Sequence, residues 1–388
     1  AHPQPKSRRI PINRQTIYFS TAVGFCDLLV FVMARARFLA PWHQPDLMAA
    51  LEAEGLSVEE LLALKGKPAI YHCLSRVVDR RFVLGARERD QFVRYMRTYE
   101  RFCQVRVLAF CVMSNHFHIL LEVPAAPEGR GADWSDERLL EHLSGLYSKQ
   151  QMGKLRWELE HYRSQQNTVA AEAFRERYFR RMWDLSQFMK TLKQRFTSWF
   201  NRQHERRGTL WEERFKSILV EDGHAARTMA AYIDLNPVRA GMVDDPRDYR
   251  WCSYGEAVAG ETRAREGLQR VMFEAGRARG REQWSAEDLV SWRKAAHHYR
   301  QVLDMAVHGN NASSEPGDSG RLTEADALRC RMRAMIDGMA FGKGPFVESI
   351  FACCRDLFGA KRRSGARKLR NVDTPLRTLR DLRPDPPS

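Results

Sequence analysis

The spacing of apolar positions changes several times along the chain, and each change predicts an element. Ile70-Tyr71-His72-Cys73-Leu74-Ser75-Arg76-Val77-Val78 has strand character and is stopped by Asp79-Arg80-Arg81. Residues 87 to 103 switch to three- and four-residue spacing, with Phe92, Tyr95, Met96, Tyr99 and Phe102 on one stripe, which predicts a helix. Val105 to Met113 and His116 to Val123 then read as two strands of a hairpin turning at Ser114-Asn115. A Pro- and Gly-rich loop, 124 to 131, leads to two charged helices, Asp136 to Tyr147 and Gly153 to about Arg180, expected to form a solvated insertion over 125–182. Asp184 to Asn201 is a firmer helix whose apolar face is Phe188, Leu192, Phe196, Trp199 and Phe200. Gly208 opens a strand over Thr209 to Glu221. The next helix, about His224 to Leu235, turns Ala226, Met229, Ala230 and Ile233 inward and is expected to end at Asn236-Pro237, because proline pushes its predecessor out of the α region.

Strand, helix, two strands, helix, strand is the order of a ferredoxin-like α+β sandwich with an antiparallel sheet. Its domain is expected over 69–260, closed by an aromatic-basic strip at 243 to 260. Upstream lies an extension, 1–68, in which residues 46 to 64 read as two short helices and Met33 reads as a natural start, so that 1–32 would precede it. Downstream, the pattern predicts a helical extension over 261–308, a linker over 309–323 and a basic region over 324–388, together a mostly α-helical C-terminal part.

Composition narrows the partners. In 388 residues, 44% hydrophobic and 29% charged content is ordinary for a globular protein with room for about two cores. The charge is not ordinary: 63 Lys+Arg against 48 Asp+Glu give +15, which points to a polyanion, nucleic acid first and an anionic membrane surface second. The apolar-leaning stretch Thr21 to Val32 is too short to span a membrane and is interrupted by Asp27. Eight cysteines without paired spacing suit neither a disulfide framework nor a zinc module, so a reducing cytoplasmic compartment is expected. No Walker-type glycine loop is present.

The chemistry starts in the hairpin. In a strand, His116 and His118 share one face while Phe117, Ile119 and Leu121 take the other, making a two-toothed clamp for a divalent metal. Alone, such a pair is more often two half-buried polar residues than a ligand set. Tyr232 and Asn236, four apart, share a face at the end of their helix, where the plain alternative is a core tyrosine with a capping asparagine.

Three stretches taken together carry a family likeness: Cys111-Val112-Met113-Ser114-Asn115-His116-Phe117-His118-Ile119-Leu120-Leu121-Glu122, Gly208-Thr209-Leu210-Trp211-Glu212-Glu213-Arg214-Phe215-Lys216-Ser217, and Ala231-Tyr232-Ile233-Asp234-Leu235-Asn236-Pro237-Val238-Arg239-Ala240-Gly241. They resemble the single-tyrosine HUH transposases of the IS200-like family, most of all the repetitive-extragenic-palindrome (REP) associated tyrosine transposases, from about Ile70 to Tyr254. The resemblance implies a nicking and strand-transfer enzyme acting on single-stranded or hairpin DNA of palindromic type. It implies Mg2+ or Mn2+ as cofactor, His116 and His118 as metal ligands, Tyr232 as nucleophile and Asn236 in the place of a third ligand, where relatives carry glutamine or asparagine. It leaves monomer and homodimer open, implies no membrane partner, and places the protein in the cytoplasm with the nucleoid. Candidate phosphate contacts are Lys190, Lys193, Arg195, Arg214, Lys216 and Arg239, with Lys361, Arg362, Arg363, Arg367 and Lys368 in the basic tail. Two rivals stay open: a catalytically silent DNA-binding protein, and a metal-dependent phosphoesterase that uses water.

Overall fold

The computed structural model describes residues 39–44, 66–273, 286–308, 322–330, 332–359 and 361–380. The expected start at Met33 and the helical hairpin at 46 to 64 lie outside them. Among the described residues the order begins β1 (Ala69–Arg76), α1 (Ala86–Phe102), β2 (Arg106–Val112), β3 (His116–Val123). The insertion follows as α2 (Asp136–Ser144), α3 (Lys149–Ser164) and α4 (Thr168–Phe179), and then α5 (Leu185–Gln203), β4 (Lys216–Val220) and α6 (His224–Asp234).

Two expectations need correction. The helix expected from Gly153 to Arg180 is two helices, because Asn167 accepts from the Ala170 amide and caps a new start at Thr168. The strand expected from Thr209 is only Lys216–Val220. The stretch before it makes one bridge, Trp211 to Val77, and Arg214 therefore sits in a loop rather than on the strand.

One seven-stranded sheet runs in the order β2-β3-β1-β4-β5-β7-β6, once β5 (Ala340–Lys343), β6 (Arg367–Lys368) and β7 (Leu376–Leu379) are included. The first four strands pair antiparallel, as expected. The three from beyond residue 323 extend the β4 edge. Strand β5 runs parallel to β4, with Leu219 opposite Ala340, and β7 runs antiparallel to β5. Register sets the chemistry: Leu74 stands opposite both His118 and Lys216, Arg76 opposite His116, and His72 opposite Leu120 and Ile218. Directly opposed residues share a face. His72, Arg76, His116, His118 and Lys216 thus all project to the same side of the sheet.

The other side is aromatic. Helices α1 and α5 cover it, with Phe92 against Phe117 at 4.6 Å between ring centroids, Phe92 against Phe196 at 5.2 Å and Phe117 against Trp211 at 5.3 Å. The histidine side is covered by α6 and by α9 (Thr262–Phe273), the latter packing on β2 so closely that a Cβ on Gly267 would lie 2.5 Å from the Val107 carbonyl. Gly223, at φ 80°, supplies the left-handed turn that sends the chain from β4 into α6. Two buried polar knots fasten this layer. Asp234 accepts from Ser253, the Tyr254 amide and the Tyr299 hydroxyl of α10 (Ala286–His308). Arg270 reaches Glu122 at 2.6 Å and Asp222 at 2.9 Å. No helix among the described residues is long and apolar enough to cross a membrane.

Candidate active site

A cleft of about 300 Å³ opens on the histidine face where the β2–β3 turn meets the end of α6. His116, His118, Tyr232, Asn236 and Arg239, named from sequence and scattered over more than a hundred positions, all line it. The Tyr232 and His118 rings meet edge to face, 6.3 Å between centroids, within one chain. Helix α6 ends at Asp234, and a short helix, α7 (Asn236–Arg239), follows directly, so Pro237 opens a new turn rather than distorting the old one. Asn236 Nδ2 donates to the Tyr232 and Ile233 carbonyls, which turns Oδ1 away from the helix.

The histidines are oriented by neighbours that the sequence reading missed. Asn115 Nδ2 donates to the Arg80 carbonyl, so Asn115 Oδ1 is the atom that faces His116 Nδ1, at 2.6 Å. An amide oxygen only accepts, and His116 therefore carries its proton on Nδ1 and its lone pair on Nε2. His118 Nδ1 lies 2.8 Å from His72 Nε2, and the two rings stack 5.1 Å apart at 14°. Burial pushes His118 well below the ordinary imidazole range, with the charges of its neighbours adding to the effect. Burial likewise lowers His72 to about 4, against a smaller opposing effect of the Met335 carbonyl. Both are held neutral, the form that binds metals. The signal for His72 was present in β1, whose alternation sets Ile70, His72, Leu74 and Arg76 on one face.

The cleft is also cationic. Arg76, Arg80, Arg239 and Arg329 line it and no carboxylate does, among the described residues. Arg239 is fastened in place, donating to the carbonyls of Tyr232 at 2.6 Å and Leu328 at 2.7 Å, with its guanidinium 4.1 Å from the centre of the Tyr232 ring. Desolvation lowers its pKa. Arg329 and Ile336 lie on and after α11 (Glu324–Arg329), so the C-terminal region forms one wall of the cleft.

The other expected DNA contacts are elsewhere. Lys190, Lys193 and Arg195 ride on α5, over the aromatic face, with Lys193 Nζ donating to the Glu213 carbonyl. Lys216 projects on the histidine face but pairs with Asp337 at 2.8 Å. Arg362 is a structural residue, donating to the carbonyls of Ser364, Gly365 and Arg380 and lying over Phe351 and Phe358. Lys361 and Arg363 are exposed nearby, and Arg367 and Lys368 form the exposed edge strand β6, where charge discourages edge pairing. None of these five residues lines the cleft.

No group of three or more His, Cys, Asp or Glu side chains could hold a metal among the described residues. His116, His118 and the Asn236 amide oxygen would nevertheless suit a divalent ion, with the phosphate of a substrate balancing the surrounding guanidiniums. The residues present fit a divalent ion only together with an anionic substrate.

Imidazoles, a phenol and four guanidiniums around one small cleft define a site suited to a phosphate ester. Residues 67–128, from β1 through β3 and including both histidines, match the family model described as "Transposase IS200 like". A solved chain described as "Structure of the REP associates tyrosine transposase bound to a REP hairpin" is similar at 14% identity over 50% of this chain and 80% of that one, with a TM-score of 0.32, too loose a likeness to assign residues. No curated protein matches.

Proposed function

We propose that the protein is a single-tyrosine DNA strand-cleaving transposase that acts on single-stranded or hairpin DNA. The observation that carries this reading is the convergence of Tyr232, His116, His118 and Asn236 on one arginine-walled cleft within a single chain.

The scissile phosphate enters among Arg76, Arg80 and Arg329, whose charges bind it and offset the negative charge that builds in the transition state. His116, His118 and Asn236 would hold a divalent ion, which would supply Lewis-acid polarisation of that phosphate. Arg239 holds positive charge against the Tyr232 ring and clamps its backbone, which orients the phenol. The Tyr232 oxygen forms a bond to phosphorus while the bond from phosphorus to the 3′-oxygen breaks. The phenol's proton is balanced by the one the 3′-hydroxyl gains. A 5′-phosphotyrosine retains the phosphodiester's energy, so a second 3′-hydroxyl can reverse the step without a nucleotide triphosphate.

The test is a denaturing gel of 5′- and 3′-labelled hairpin DNA incubated with Mn2+ or EDTA and either wild type or Tyr232→Phe. A metal-dependent protein–DNA adduct on the 5′-phosphate side, lost in Tyr232→Phe, is the expected result. Cleavage that survives the substitution would transfer the chain to the water-using phosphoesterases. Tight hairpin binding with no cleavage would make it a silent DNA-binding protein.

A further inference from the structure

On the aromatic side of the sheet, a second concavity lies where the insertion docks on α5. It is a groove of about 700 Å³, and its polar walls are Tyr147, Glu158, Arg177, Arg180, Arg181 and Lys190. The insertion contributes Tyr147 from the turn between α2 and α3, Glu158 from α3 and Arg177 from α4; α5 contributes Lys190. Four cations therefore face one carboxylate, and that carboxylate is taken, since Arg177 lies 3.4 Å from Glu158. Arg180, Arg181 and Lys190 make no ion pair among the described residues. Arg180 and Lys190 are exposed. The positive field continues past the groove: Arg181 and Arg195 both act on the Tyr99 hydroxyl, beside Tyr95 and Tyr147, and the Arg195 guanidinium lies 5.7 Å from the Tyr95 ring centre.

Like charges gathered around a concavity repel one another until an anion comes between them. A solvated charged face would spread its cations over a convex surface and interleave carboxylates. Here the cations line one concavity and aromatic rings sit among them, Tyr147 half-buried and meeting Tyr178 edge to face at 6.4 Å. Cations for a backbone with rings for bases is the pattern of single-strand binding, because a duplex keeps its base faces hidden.

We propose that this groove is a second DNA site, separate from the cleft, that holds a single-stranded segment by its phosphates through Arg180, Arg181 and Lys190, with Tyr147 as a stacking surface. The cleft cuts on one side of the sheet while the groove grips on the other. The helical insertion is then a grip on the strand. This also gives Lys190 a partner other than the phosphate in the cleft.

The test uses the full chain carrying Tyr232→Phe, in EDTA, with a fluorescent thymidine oligonucleotide titrated between about 0.05 and 0.2 M salt. Adding Arg180→Ala and Lys190→Ala, both at exposed positions, should weaken binding about tenfold and flatten the slope of log affinity against log salt by about 1.4, two lost phosphate contacts on a single strand. A fully paired duplex should bind the two proteins alike. Unchanged affinity and slope on the single strand would overturn the proposal, as would an equal loss on the duplex. Because metal is chelated and the tyrosine removed, the outcome is independent of whether the cleft performs the chemistry assigned to it.

Discussion

On one side of β3, Phe117 packs against Phe92 and Trp211; one residue away on the other, His118 meets His72, His116 and Tyr232. The same eight residues of backbone serve both. The aromatic side is held by area and shape, so its strength depends on how much ring surface is buried and little on which atom faces which. The histidine side is held by partners. Each buried imidazole is tolerated because it stays neutral and has a specific neighbour, and removing a neighbour exposes a cost that no other contact makes good. One face therefore carries the stability of the sheet and the other its chemistry, and substitutions on the two should separate cleanly.

The largest effect is expected on the aromatic face. Phe117 is fully buried, and Phe117→Ala should cost about 3–5 kcal/mol in denaturant unfolding, weakening every function together. A loss under about 1 kcal/mol would mean that this layer collapses onto the gap and is not the keystone of the sheet.

Asp234 tests the polar side next. Burial raises its carboxyl to about 6, while Ser253, Tyr299 and the Tyr254 amide pull the other way. A folded value above the unfolded one means stability that is fully present below about pH 4 and lost as pH rises through about 6. Over that window wild type should lose about 3 kcal/mol relative to Asp234→Asn, the equivalent of the two-unit shift. Parallel stability profiles for the two proteins between pH 4 and 7 would refute it.

His72→Phe keeps a ring in place and removes the hydrogen bond to His118. Mn2+ affinity measured by electron paramagnetic resonance, in the presence of uncleavable DNA, should fall about 10- to 100-fold, the usual cost of losing a ligand's supporting partner. Unfolding free energy should change far less than in Phe117→Ala. If metal affinity holds while stability collapses, His72 belongs to the core and not to the site.

The smallest change is expected at Lys216, which shares the histidine face but ends in an exposed ion pair with Asp337. Lys216→Ala should shift stability by less than about 1 kcal/mol, screened further by salt. A larger loss would show that the contact between β4 and the C-terminal region is carried by this pair.

Much of the site was legible. Period-two alternation separates His116 and His118 from Phe117, and four-residue spacing puts Tyr232 and Asn236 together. Lys190, Lys193 and Arg195 show where that logic stops. A helical stripe states which side of α5 is apolar and is silent on which face of the sheet the stripe will cover, and α5 went to the face away from the cleft. Arg329 and Ile336 were out of reach for a different reason: nothing local marks a segment some ninety residues beyond Tyr232 as the far wall of a site. The strands β5 and β7 are four residues each, too short for periodicity to announce them.

What the sequence determined by itself was local: the periods of strand and helix, the motif order behind the family likeness, and the net positive charge, all set by neighbours along the chain. What only the tertiary structure decided was pairing. The register of β1 on β3 brought His72 against His118 and Arg76 opposite His116, and the docking of the C-terminal strands on β4 completed an arginine-walled cleft. Both depend on contacts between segments far apart in the chain, whose energies are fixed by shape and burial and leave no signature in the spacing of residues within either segment.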